Sequence, residues 1–305
     1  VNLVKNPAPT DSGFRFSRND LPGTPTIPAR MDQVSDTRLA TTIGHAQARI
    51  STTEHLLAAL RSYGIDNAHI EVDAPEIPIM DGSAGPFMLL LKRAGRKQQE
   101  SCRKVLRITK EIHYTDGNAE ITISPYDGFK VSGEIDFNDA MIKKQQYSID
   151  LSGDRFIKEI ARARTFGYVE QVEELWANGL ALGGTLDNVI AIHWNRQTIL
   201  NEDGLRFHDE FIRHKVLDLI GDLALIGCPI LGQVSASRCG HTQHVAFMKE
   251  IAAHPECWEL VELRENGSHS VLKQMVSSTK AAAGEMISPL LTPQTSKNNL
   301  SQSPC

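Results

Sequence analysis

Between residues 209 and 226 apolar and polar positions recur with the 3.6-residue period of an α-helix. Ile212, Val216, Leu219, Ile220 and Leu223 fall on one side, and His214, Asp218 and Asp222, spaced four apart, form a polar stripe beside it. The pattern predicts an amphipathic helix, at least half buried, that stops at Gly227-Cys228-Pro229. Elsewhere the period changes to two. Alternation predicts strands at 1–4, 14–16, 65–72, 105–109, 119–124, 130–136, 186–192 and 230–236, with strand pieces at 38–43 and 48–50 around Gly44 and mixed turn and strand character at 201–207. Residues 21–30 carry three prolines and read as an extended connection.

Further helices are expected at 51–60, 87–94, 156–160, 169–178 and 244–252. Ser51 followed three residues later by Glu54 is a capping-box pattern, which fixes Glu54 and His55 in the first turn of their helix. Gly167 breaks the pattern ahead of the 169–178 helix, and Gly179 is placed to terminate it. Residues 75–86 form a long loop of small residues. The basic, polar stretch 95–104 is the best linker and divides the chain near residue 102. Each half runs strands, helix, strand, helix, so the fold class is α+β, with two layers of related plan. The expected domains are 1–102 and 103–276. The tail 277–305, rich in Ser, Thr, Pro, Asn and Gln, is expected to have no fixed fold.

Composition narrows the function classes. The 305 residues suit about two domains, and a net charge of −5 argues against a nucleic-acid or polyanion binder. Apolar runs such as 87–91 and 223–226 are far too short to cross a bilayer, and no signal segment is visible. The five cysteines are dispersed without a paired spacing, which fits free thiols in a reducing compartment. The chain begins at Val1 instead of an initiator methionine, as a fragment or processed form would.

Candidate chemistry comes from convergence. An imidazole and a carboxylate one helical turn apart, as His214 and Asp218 are, grip a divalent cation from a rigid frame. With a third ligand from elsewhere, zinc would keep one open position. The bland alternative is an ordinary i,i+4 ion pair on a solvated face. For the capped helix start the bland alternative is Glu54 as a cap partner and His55 as a surface histidine. If these residues meet, His55, His214 and Asp218 form a catalytic zinc set and Glu54 can take a proton from water. Asp222 can accept from a ring N–H of His241, which follows a Gly-containing turn, and so favour its cation. The Thr165 hydroxyl is a further oxyanion donor.

The strings Thr53-Glu54-His55-Leu56, Ile79-Met80-Asp81-Gly82-Ser83-Ala84-Gly85-Pro86-Phe87 and Arg213-His214-Lys215-Val216-Leu217-Asp218 are long and ordered along the chain. With 163–167, 182–189, 201–205 and Gly240-His241, they resemble the UDP-3-O-(3-hydroxyacyl)-N-acetylglucosamine deacetylases of lipid A biosynthesis, from near residue 1 to about residue 270. The resemblance implies two α+β sandwich domains packed face to face, with the active site at their junction. It implies His55, His214 and Asp218 as zinc ligands and Glu54 as general base. His241 and Asp222 match the second catalytic histidine and its carboxylate, Thr165 the hydroxyl near the scissile carbonyl, and Lys215 and Phe166 the substrate contacts. An insert, here 167–187, would form an acyl passage walled by Val169, Val172, Leu175, Leu180 and Leu182, residues that otherwise read as helix core. The expected partner is an acylated UDP-amino sugar, the expected compartment the cytoplasm and the expected state a monomer.

Two features depart from the family pattern. Its opening strand and Gly-Leu-His turn would precede Val1, so the first strand of domain one is expected to be missing. Cys239 also stands where a small hydroxyl residue is usual. Two other classes compete with the zinc amidohydrolase: a catalytically silent protein of the same fold that binds nucleotide sugar or acyl chains, and a structural α+β protein with ordinary helix ion pairs. The intact Glu54, His55, His214, Asp218 and His241 favour the enzyme, because a degenerate copy has no physical reason to keep all five.

Overall fold

Short alternating segments give the first half its strands: β1 (Leu3–Pro7), β2 (Phe14–Arg18), β3 (Thr26–Pro28), β4 (Val34–Asp36), β5 (Thr42–His45), β6 (Ala48–Ile50) and β7 (Ala68–Val72). The computed structural model describes residues 1–177 and 183–263. The alternation is cleanest in β7, where Ala68, Ile70 and Val72 are buried and His69 and Glu71 are not. Four strands form one sheet in the order β1-β7-β2-β3, and β4-β5-β6 form a second. Helix α1 (Glu54–Ser62) makes the crossover that lets β2 and β7 pair in parallel, and α2 (Gly85–Ala94) follows the long loop.

The second half contributes β8 (Arg103–Ile108), β9 (Ile112–Asp116), β10 (Ala119–Ser124), β11 (Phe129–Asp136) and β12 (Lys144–Asp150). Then come α3 (Gly153–Glu159), β13 (Phe166–Tyr168), α4 (Val172–Ala177), β14 (Ile190–Ile192), α5 (Glu210–Leu223), β15 (Ile230–Ser237), α6 (His241–Ala253) and β16 (Trp258–Leu263). Seven strands form one sheet. Its path is β12-β11-β15-β10-β9, with β8 joining β15 to β16. The chain is therefore a mixed α/β protein. Among the described residues no helix is long and apolar enough to cross a membrane, and Cys102, Cys228, Cys239 and Cys257 are free thiols.

Helix α5 lies between two surfaces. On one side Ile212 and Val216 press on β11 so closely that a Cβ at Gly133 would sit 2.8 Å from Val216. On the other side α1 packs against it, and a Cβ at Gly221 would come within 2.1 Å of the Glu54 carbonyl oxygen. The apolar stripe thus meets the sheet, and the polar stripe faces the start of α1. All of α5 except Arg213 and Lys215 is buried, as a helix covered on both sides must be.

Several expectations are corrected. The capping box at Ser51 and Glu54 does not form: α1 begins at Glu54, Thr53 occupies the N-cap without a side-chain bond, and the Glu54 carboxylate is used elsewhere. The last helix starts at His241, three residues earlier than its apolar period suggests, because Gln243 reaches back to the Gly240 backbone N–H. Residues 201–207 form turns held by the Asn201 side chain, with no strand. The 169–178 helix divides into a 3-10 turn at Val169–Gln171 and α4. Strands β9, β12 and β16 were not expected; β12 is mostly polar and exposed, so it carries little apolar signal. The stop at Gly179 and the tail 277–305 lie outside the described residues.

Candidate metal centre and active site

The first cluster brings His55 from α1 to His214 and Asp218 on α5. All three side chains are buried, and one ligand atom from each lies within 4.8 Å of the others. The His214 Nδ1–H donates to the Ala163 carbonyl at 3.0 Å, which leaves its Nε2 as a lone pair. That nitrogen faces Asp218 Oδ1 at 3.3 Å, and His55 Nε2 lies 3.6 Å from the same oxygen. Burial pushes His214 down to about 4, so its ring is neutral at physiological pH. Burial favours the neutral form of Asp218 too, but His214 and Lys215 hold its carboxyl well below the usual range.

A neutral imidazole lone pair therefore opposes a carboxylate lone pair, and Asp218 Oδ1 and His55 Nδ1 are buried without hydrogen-bond partners. The orphaned Asp218 oxygen, faced by Nε2 of His214 and Nε2 of His55, costs free energy unless a cation sits among the three. The donor set, two imidazoles and one carboxylate with a position left open, suits zinc in a catalytic arrangement. Lys215 Nζ donates to the other Asp218 oxygen at 3.1 Å and orients it.

The second cluster centres on Asp222, one turn further along α5. Its Oδ2 accepts from Nδ1 of His241 and from Nδ1 of His244, each at 2.7 Å. Its Oδ1 accepts from the Thr41 hydroxyl at 2.6 Å. These atoms are also close enough to surround a metal, but short hydrogen bonds already occupy the position an ion would need. Burial opposes ionisation of Asp222, yet His241 and His244 hold its carboxyl down at about 2. Burial likewise opposes the His241 cation, but Asp222 and Glu54 outweigh it and raise His241 to about 9.

Glu54 joins the two clusters. Its Oε2 accepts from the Thr41 backbone N–H at 3.0 Å, and its Oε1 lies 3.9 Å from His241 Nε2. Burial pushes its carboxyl above the ordinary value, against the pull of His241 and His55. The Glu54 carboxylate and the His241 imidazole therefore face each other without a direct hydrogen bond, close enough for both to address one reacting group.

A third group of contacts places Thr165 and Phe166. Arg164, just before them, donates from its backbone N and Nε to Glu210 Oε1 at 2.9 and 3.0 Å, tying the segment to the start of α5. The Thr165 N–H donates to the Gly82 carbonyl at 2.9 Å. Gly82 is in the left-handed region and so close to Asn188 that a Cβ would overlap its carbonyl oxygen at 1.8 Å. The Phe166 ring stands edge-on to Phe211 at 5.0 Å, to Phe137 at 6.0 Å and to His214 at 6.4 Å. In the chain Phe166 opens directly into the 167–187 segment. There Val169 and Val172 are half-buried and Trp176 and Leu186 are exposed. Leu180, Leu182 and the Leu175 side chain lie outside the described residues.

The nine residues given catalytic, metal or substrate roles in the sequence thus fall in these three groups, Thr165 placed there by its backbone N–H. Four others were missed. His244 had a legible signal, since it stands three residues after His241 on one helix face. Arg164 and Glu210 pair across 46 positions and Thr41 reaches Asp222 across 181, and local pattern marks none of them.

Comparison with known proteins adds a separate line of observation. A family model described as LpxC: UDP-3-O-acyl N-acetylglycosamine deacetylase matches residues 1–253. A Hahella chejuensis protein named UDP-3-O-acyl-N-acetylglucosamine deacetylase is 45% identical over 269 residues, covering 88% of this chain and 88% of its own length. Proteins of the same name from Teredinibacter turnerae and Syntrophotalea carbinolica are 45% and 44% identical, over 87% and 93% of this chain and 88% and 91% of theirs.

Proposed function

This chain belongs to the UDP-3-O-acyl N-acetylglycosamine deacetylase family, and we propose that it hydrolyses the acetamide of UDP-3-O-(3-hydroxyacyl)-N-acetylglucosamine in lipid A biosynthesis. Water adds to the acetyl carbonyl, the C–N bond breaks, and acetate and the free amine leave. The observation that carries this reading is the buried, unpartnered Asp218 Oδ1 faced by Nε2 of both His214 and His55, beside the Glu54 carboxyl, whose pKa burial raises.

His55, His214 and Asp218 would hold zinc. When bound, the cation would polarise the acetyl carbonyl and make water more acidic. Glu54 then takes the proton of the attacking water at Oε1, because Oε2 is engaged by Thr41. His241 is oriented by Asp222 through Nδ1 and carries its second proton on Nε2, aimed at the gap facing Glu54. From there it stabilises the developing oxyanion and gives its proton to the departing amine. The Thr165 hydroxyl adds a donor near the carbonyl, Lys215 contacts the substrate, and Phe166 starts the apolar wall along which the acyl chain lies.

In the same reading the two halves are α+β sandwich domains, 1–102 and 103–276, with the site where α1 meets α5. The enzyme works as a monomer in the cytoplasm, in keeping with its free thiols. The test is metal analysis with an acetate-release assay on one purified sample. About one zinc per chain together with turnover supports the reading. A metal-replete protein that binds the acylated UDP-sugar without releasing acetate would instead favour a silent binding protein.

A further inference from the structure

Thr41 stands between β4 and β5, is fully buried, and uses every polar atom it has. Its backbone N–H donates to Glu54 Oε2 at 3.0 Å, and its hydroxyl donates to Asp222 Oδ1 at 2.6 Å. Its carbonyl accepts from the Thr53 hydroxyl at 3.1 Å and the Thr53 N–H at 3.3 Å, anchoring the residue at the start of α1. The His241 Nδ1–H, given to Asp222 Oδ2 at 2.7 Å, also passes 3.2 Å from the Thr41 hydroxyl oxygen.

Proton bookkeeping settles who donates. Ionised Asp222 has only acceptors, so the single hydroxyl proton of Thr41 goes to Oδ1, while the Nδ1 protons of His241 and His244 go to Oδ2. Asp222 is thereby held from three directions. The Thr41 bond is the one that comes from the first half of the chain. Without it the carboxylate could turn about its Cβ–Cγ bond, and His241 would turn with it. The same residue takes up Glu54 Oε2 and leaves Oε1 free, 3.9 Å from His241 Nε2.

We propose that Thr41 is a positioning residue for the deacetylation, a one-residue brace that sets the spacing between the Glu54 carboxylate and the Asp222–His241 pair. This rests on the roles proposed above for Glu54 and His241. Both bonds are buried and to carboxylate acceptors, and the one to Asp222 is short, the kind with the largest effect on geometry and energy. Among the described residues no hydrogen bond joins Thr41 to His55, His214 or Asp218, so its effect falls on the reacting groups and not on metal affinity.

The test compares Thr41→Val, which keeps the shape and the backbone N–H but loses the hydroxyl, with Thr41→Ser, which restores it. Removing one buried hydrogen bond to a charged group should lower kcat of Thr41→Val about 10- to 100-fold. KM and zinc content should change little, because the lost hydroxyl bonds to neither substrate nor metal ligand in this scheme. Thr41→Ser should recover to within about threefold on the same scale. A readout independent of turnover is the proton spectrum of the imidazole N–H groups, where the His241 and His244 protons on Asp222 should shift in Thr41→Val and return in Thr41→Ser. Two outcomes overturn the brace alone: Thr41→Val with wild-type kcat and an unmoved spectrum, or both variants equally slow with lowered thermal stability, which marks a merely structural residue. A zinc-loaded wild type that releases no acetate overturns the functional reading and the brace with it.

Discussion

Replacing Gly221 by Ala puts one methyl group between α5 and α1. In an ordinary helix interior the change stabilises by up to ~1 kcal/mol, because glycine is the poorer helix former. Here the added Cβ would lie 2.1 Å from the Glu54 carbonyl oxygen, 2.7 Å from its carbonyl carbon and 2.9 Å from its Cα. These are backbone atoms at the first residue of α1, so no side chain can swing away. Ordinary contact begins near 3.4 Å, so the two helices must part by roughly 1.3 Å at this point. Overpacking of this kind costs about 1–3 kcal/mol, and the sign of the substitution reverses. The functional effect should be larger than the loss of stability, because the residues displaced are Glu54 and His55. A shift of about 1 Å in a reacting group can cost on the order of 10²-fold in rate. Urea unfolding, zinc content and kcat on one preparation give the three numbers. Gly221→Ala should be less stable, slower by about two orders of magnitude and weaker in zinc retention through His55. A variant as stable and as fast as wild type would show that α1 and α5 do not approach this closely, and the site geometry would fall with it.

Other outcomes follow from individual groups. His214→Ala removes a metal ligand and should sharply reduce zinc content by elemental analysis, as should His55→Ala; full zinc in both would exclude this ligand set. Glu54→Gln can still accept from the Thr41 N–H, so zinc should remain while acetate release falls by roughly 10²–10⁴; near-normal turnover with zinc present would remove Glu54 as the base. His241, raised to about 9, keeps its proton through neutrality, so kcat should decline as pH rises through about 9; a decline already complete by pH 7 would contradict the Asp222 pairing. The same raised value makes His241 a stabilising cation whose contribution is whole below about 6.5 and is lost as pH climbs through about 9.

How much of this was legible in the sequence depends on the length of the loop each contact closes. Helix α5 was readable nearly to its ends because its period, its polar stripe and its Gly-Cys-Pro stop are all local. His214, Asp218 and Asp222 came with it, since one helix fixes their spacing. Strand β12 was not readable: its face is mostly exposed, so hydrophobicity does not separate it from loop. The Ser51–Glu54 pattern misled for a specific reason. A capping box is a local use of a carboxylate, and here Thr41, thirteen residues earlier, supplies the N–H that takes it. The tertiary bond overrides the local motif because Glu54 is buried where its charge needs that donor. His241 was found by analogy of residue type and not by period, because its helix begins with it.

The residues left out share one property. Thr41, Arg164 and Glu210 make no hydrogen bond to a proposed metal-binding atom and belong to no spacing rule, yet Thr41 holds Glu54 and Asp222, and the Arg164–Glu210 pair ties the residue before Thr165 to the start of α5. Arg164 and Glu210, almost wholly buried, satisfy each other through two guanidinium nitrogens and a backbone N–H. Pairing of this kind is costly to leave half made, since removing one partner strands a buried charge at about 3–5 kcal/mol. Its effect is to fix the segment that carries Thr165 and Phe166 against the helix that carries His214. Groups that react can be recognised by type, because few side chains perform the chemistry. Groups that aim them can be drawn from many types, and only the folded distances identify which ones were used. A reader of sequence alone therefore sees the reagents of this site before its scaffold, and the scaffold is where a one-methyl change such as Gly221→Ala has its leverage.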